Sequence, residues 1–88
     1  MLKGTTESGF EYEISDETLD DYELMEELAE LDNGNMGKLP GVIEDILGME
    51  QKEKLKEHIK EEYGRVSISN MIKELTQILQ GNKEGKNS

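Results

Sequence analysis

Cysteine is absent from this chain, which excludes a disulfide staple, a thiolate nucleophile and a cysteine-bound zinc. Tryptophan is absent too, and histidine, proline and phenylalanine occur once each. With one histidine and no cysteine, His58 has no second soft ligand with which to share a metal, and it is expected at a partly exposed surface position. The longest apolar runs are two or three residues, so neither a membrane-spanning helix nor a secretory leader is expected.

Positive charge is missing over a long stretch. No Lys or Arg occurs between Lys3 and Lys38, and residues 1–37 carry twelve acids against Lys3 alone. Residues 38–88 carry nine acids and nine bases, so the whole net charge of −11 resides in the N-terminal part. Phosphate binding requires clustered Lys and Arg, and nucleic acid is therefore not expected as a direct ligand. The field suits a basic protein partner or plain solubility. Eighty-eight residues allow one small domain, burying roughly 60% of its unfolded surface.

What is present patterns as a mainly α chain. Phe10, Tyr12 and Ile14 alternate with Glu11 and Glu13, a period of two that predicts a half-buried strand. Ser8-Gly9 supplies a turn, so residues 1–14 read as a β-hairpin. Residues 16–32 read as a helix capped by Ser15 or Asp16. On a helical wheel Tyr22, Leu24, Met25, Leu28, Ala29 and Leu31 share one broad side, with Asp20, Glu23, Glu26, Glu27 and Glu30 opposite. Asn33-Gly34 ends this helix, and Asn33–Lys38 reads as a loop. Further helices are predicted at 40–47, stopped by Gly48, at 50–63, stopped by Gly64, and at 68–80, capped by Ser67. The expected architecture is a small four-helix domain with an N-terminal β-hairpin, spanning 1–81, with 82–88 as a disordered tail. Leu28, Val42, Ile46, Leu55, Ile59, Ile72 and Leu75 are expected in the core, and the spacing of Met25 and Met71 puts them there as well.

No catalytic constellation stands out. Carboxylates are abundant, but no spacing pairs a buried one with an exposed one in a cleft. No glycine-rich phosphate loop follows a strand. A calcium loop counted from Asp32 fails, because its twelfth position is Ile43 and not Glu. Acyl carrier proteins are also small, acidic and helical, but their carrier serine follows an Asp, whereas Ser67 follows Val66 and Ser69 follows Ile68. The expectation is a non-enzyme without metal or cofactor.

The strand GFEYEI, the acidic helix SDETLDDYELMEELAELDNG, the segment ILGMEQKEKLKEHI and the link GRVSISNMIKELTQIL, taken in this order, resemble the tail assembly chaperones of long-tailed bacteriophages. The likeness covers about residues 7–80. It implies a non-enzymatic assembly factor of the host bacterial cytoplasm, absent from the finished virion. Such a factor binds the tape measure protein, keeps it soluble and promotes tail tube assembly, in many phages with a frameshifted longer form that engages the tail tube protein. A homo-oligomer is compatible with it. Within that reading, Asp20, Glu23, Glu26, Glu27 and Glu30 supply solubility, and Met71, Leu75, Ile78 and Leu79 supply adhesive contact. The rival readings are an acidic inhibitor or DNA mimic on a basic nucleic-acid-binding site, and a structural subunit of the virion.

Overall fold

The computed structural model describes the backbone of residues 1–84 and the side chains through Gly81. Strands β1 (Leu2–Thr5) and β2 (Glu11–Ile14) pair antiparallel, with Leu2 opposite Ile14 and Thr5 opposite Glu11. The connecting loop closes through Thr6. Its N–H donates to the Phe10 carbonyl at 2.9 Å, its carbonyl accepts from Gly9 N–H at 2.9 Å, and its Oγ1 accepts from Phe10 N–H at 3.2 Å. The alternation works as the sequence implies: Phe10, Tyr12 and Ile14 are buried while Glu11 and Glu13 face solvent. Gly4 is needed opposite Tyr12, since a Cβ there would fall 2.6 Å from the ring atom Cζ.

Three α-helices follow: α1 (Tyr22–Asp32), α2 (Leu39–Tyr63) and α3 (Ile68–Glu84). The expected second and third helices are the two arms of α2, which passes through Gly48 at φ 82° and ψ 161°, well outside helical values. Only glycine takes that backbone conformation cheaply. The Gln51 side chain holds the bend, its Nε2 donating to the Leu47 carbonyl at 2.8 Å. Gly64 ends α2 in the left-handed conformation, its N–H donating to the Lys60 carbonyl at 2.8 Å. Ser67 caps α3, its Oγ accepting from Asn70 N–H at 3.0 Å.

Two boundaries differ from the sequence expectation. Helix α1 starts at Tyr22 and not near residue 16, because Asp21 takes the cap. Its Oδ1 accepts from Glu23 N–H at 2.9 Å and Leu24 N–H at 3.4 Å. Thr18–Asp20 forms a 3₁₀ turn ahead of it, and Asp16 meets the N-terminal ammonium at 3.1 Å. At the other end α3 runs past Gln80-Gly81 to Glu84. Of the tail expected to be disordered, 82–84 is helical backbone and 85–88 lies outside the described residues. The loop after α1 also contains a 3₁₀ turn, Met36–Lys38, that leads directly into α2.

The core joins the inner face of the hairpin to both arms of α2 and to α3. Ile14, Val42, Ile43, Leu55, Ile59 and Ile78 are essentially sealed from solvent. Val42, Ile46, Leu55, Ile59 and Leu75 occupy the core as expected, whereas Leu28 and Ile72 are half-buried against its edge. Among the described residues no helix is long and apolar enough to cross a membrane.

Urea denaturation will separate these contributions. Leu75→Ala should cost about 2–5 kcal/mol by opening a core cavity. Gly48→Ala should cost about 1–3 kcal/mol through backbone strain, with no cavity formed. Thr76→Ala, on the exposed face of α3, should stay within about 0.5 kcal/mol of wild type.

Candidate functional site

The Asp21 cap fixes where α1 begins, and the 3.6-residue period of the helix divides its apolar residues between two faces. Leu24 is buried, and Leu28 and Leu31 are half-buried against the core. Tyr22 and Met25 turn outward, 70% and 62% exposed, and Ala29 follows them on the outer face. The single apolar side drawn from the sequence is therefore wrong for half its members, Met25 included. A helix of eleven residues needs only a narrow stripe to dock, and Leu24, Leu28 and Leu31 fill it.

Acids surround the outer strip. Asp20, Glu23, Glu26 and Glu30 are exposed as expected. Glu30 is held at the end of α1, its Oε1 accepting from Asn35 Nδ2 at 3.2 Å with Lys38 Nζ at 3.9 Å. Glu27 departs from the expected solvated face. It is half-buried and turned toward Asp45 of α2, with its Oε1 sealed from solvent and unpartnered. The carboxyl hydrogen bond available to Asp45 raises the Glu27 pKa, aided by desolvation and by the Asp45 charge, while Lys38 opposes the shift and Asp21 adds slightly to it. Helix α1 thus meets α2 across two like-charged side chains.

The apolar residues expected to grip a partner lie elsewhere. Met71, Leu75 and Ile78 are buried in the core, and Leu79 is half-buried against it. In this conformation α3 keeps its stripe for the hairpin and α2. The exposed large apolar side chains are instead Tyr22 and Met25 on α1, Met49, Tyr63, Val66 and Ile68 on and between α2 and α3, and Met1, Leu19 and Met36.

One polar cluster has no counterpart in the sequence expectations. Glu74 is 1% exposed on α3, and its Oε2 accepts from Ser8 Oγ at 2.8 Å. His58 Nε2 lies 3.0 Å from both Ser8 Oγ and the Ser8 carbonyl. A carbonyl only accepts, so Nε2 carries the proton and donates. The chain of donation therefore runs from His58 to Ser8 to Glu74. That order differs from a nucleophile–base pair, in which the imidazole takes the serine proton and an acid orients the imidazole. Here the three side chains fasten the hairpin tip to α2 and α3, helped by Glu7 N–H donating to Gln77 Oε1 at 2.8 Å. A second clasp ties β2 to α2: Gln51 Oε1 accepts from Glu13 N–H at 2.8 Å, and Gln51 Nε2 donates to the Glu13 carbonyl at 2.7 Å. The signal for Glu74 was present, since it stands three residues after Met71 and four before Ile78, inside the apolar stripe. Nothing in the sequence marked Ser8 as the residue that meets it.

The described residues hold no group of three or more His, Asp or Glu arranged to take a metal. An open groove lies between the hairpin and the bend of α2, bordered by Lys3, Glu13, Asp45, Glu50 and Lys54. Its mixed charges select no one ligand. The chain matches no family model, no curated protein and no solved structure.

A folded-state pKa above the ordinary 4.5 means that Glu27 helps the fold below that pH and loses this contribution as pH rises through the folded value. Glu27→Gln should therefore melt above wild type at pH 7, and the gap should close as pH falls toward 4.5. A gap independent of pH would remove the carboxylate contact with Asp45 as its source. At the hairpin tip, Ser8→Ala leaves the buried Glu74 carboxylate without its donor and should cost about 1–3 kcal/mol. Glu74→Met, which removes the buried charge, should cost less than Ser8→Ala or stabilise the protein in the same urea titration.

Proposed function

We propose that this chain is a non-enzymatic holding factor, acting as a bacteriophage tail assembly chaperone that keeps the tape measure protein soluble until tail tube subunits assemble around it. The observation that carries the reading is α1: a solvent-exposed helix with Tyr22 and Met25 outward among Glu23, Glu26 and Glu30. Exposed apolar side chains supply adaptable, non-directional adhesion, and Met is suited to it by its flexible, polarisable thioether. Like charge around them opposes association between loaded complexes. The order of elements and the acidic first helix support the phage assignment through their resemblance to that family. The reading places the protein in the host cytoplasm during assembly and outside the finished virion.

The adhesive role moves, relative to the sequence expectation, from Met71, Leu75, Ile78 and Leu79 to the outer face of α1. Those α3 residues support the fold, and offering them to a client would open the core. An acidic inhibitor of a nucleic-acid-binding protein would use the same charge, but it has no use for an apolar strip set among the acids.

Co-expression tests the proposal. The soluble fraction of the tape measure protein encoded beside this chain should rise with wild type over no chaperone. Reversing Glu23, Glu26 and Glu30 to Lys should leave the domain folded, because these side chains are solvated, and should lower the soluble yield. A client as insoluble with wild type as without it overturns the assignment.

A further inference from the structure

We infer that the outer face of α1 is a docking surface for an amphipathic helix with basic flanks. The inference deepens the holding-factor reading by naming the kind of segment held, and it rests on that reading only for the client's identity. Three observations carry it.

First, Tyr22, Met25 and Ala29 recur at three- and four-residue spacing, so they form a ridge along the outside of α1. This ridge is separate from the inward Leu24, Leu28 and Leu31. A helix of this length needs no second apolar face to reach the core, and the adjacent aromatic and methionine give the outer face a contiguous apolar ridge that a partner can cover.

Second, the backbone of α1 is occupied. Its N–H groups are taken by helix hydrogen bonds and the Asp21 cap, and its last carbonyls accept from Asn33, Gly34 and Asn35 N–H. No strand edge is offered, so an extended segment would gain no main-chain hydrogen bonds. A helix laid across the ridge satisfies its own backbone and needs only side-chain packing.

Third, the charge pattern selects the sign of the partner. Glu23, Glu26 and Glu30 border the ridge along one side and Asp32 stands at its C-terminal end, with no Lys or Arg anywhere in α1. A helix bearing Lys or Arg beside its apolar stripe would place those cations among the acids. A second copy of this chain is a poor occupant, because pairing α1 with α1 sets one row of Glu against another.

Fluorescence anisotropy tests this with a labelled Leu/Lys peptide of about 18 residues, long enough for five helical turns. A scrambled peptide of the same composition and a Leu/Glu peptide of the same pattern serve as comparisons. Wild type should bind the Leu/Lys helix and prefer it to both. The Tyr22→Ser/Met25→Ser variant should bind about tenfold more weakly or worse. Glu23→Gln/Glu26→Gln/Glu30→Gln should weaken binding at low salt and match wild type in high salt. Both substituted apolar positions are exposed, so the double variant should keep the wild-type melting temperature. If it does not, Ala29→Glu blocks the C-terminal end of the ridge from a solvent-facing helical site and should cause a comparable loss. Unchanged affinity in these variants, equal binding of the scrambled peptide, or self-association of wild type through this ridge would each overturn the inference. Peptide binding without rescue of the tape measure client defeats the phage reading and leaves the inference standing. Rescue of the client by a protein that ignores the peptide does the reverse.

Discussion

The constraint on which the rest of the structure depends is the crowding of twelve carboxylates into the first thirty-seven residues with one lysine for company. Burying an unpaired carboxylate is costly, so those residues have little to give a core beyond what lies between the acids. The hairpin meets the constraint by alternation, turning Glu11 and Glu13 outward while Phe10, Tyr12 and Ile14 go in. Helix α1 meets it by docking on a narrow stripe with only Leu24 buried. Most of the remaining core comes from the charge-balanced half, where Val42, Ile43, Leu55, Ile59 and Ile78 are sealed. Even so, the constraint shows through at Glu27, whose proton affinity rises where it meets Asp45.

Legibility followed the reach of the physics involved. Gly64, Ser67 and the alternating strand act within a few residues, and each does in the structure what its local chemistry implies, whereas Gly48, expected to stop a helix, bends α2, so three α-helices stand where four were expected. The start of α1 is misplaced because the sequence expectation takes Ser15 or Asp16 as the cap, whereas the Asp21 side chain accepts the first N–H bonds. The cap does not decide which residues share a face: at about 100° per residue Tyr22 and Met25 stand well away from Leu24 and Leu28, so the single broad apolar side is too wide for a helix that docks on a narrow stripe. The end of α3 was missed for a related reason. Gly81 has a poor helix propensity, yet it lies against Tyr12, where an added Cβ would come within 3.1 Å of the phenol oxygen. Close packing, not termination, accounts for the glycine.

The polar cluster at the hairpin tip was illegible because it joins residues 50 and 66 positions apart. Glu74 could be suspected from its place in an apolar stripe, but its donor could not. The cluster also changes how the hairpin is understood. A two-stranded sheet is marginal by itself, and here apolar burial on one face is joined by directional ties at both ends, through Ser8 at the tip and through Glu13 to Gln51. Burial of the Tyr12 phenol beneath α3 raises its pKa.

These placements divide the chain into a sealed part and one that is less committed to the core. The clasped hairpin, α2 and α3 hold most of the sealed side chains and the buried hydrogen bonds. Helix α1 contributes one buried residue and faces α2 across a like-charged pair, so it is the helix whose outer surface is least committed to the fold. Under the proposed holding function this division is an advantage, since contact residues can change without loss of the core. The same division accounts for the fate of the α3 stripe. It has the regular spacing expected of a docking helix, yet its regularity serves the interior, while the less regular α1 presents Tyr22 and Met25 to water. Periodicity reports that a face is apolar; only the packing of the other elements decides whether that face is turned to the core or left for a partner.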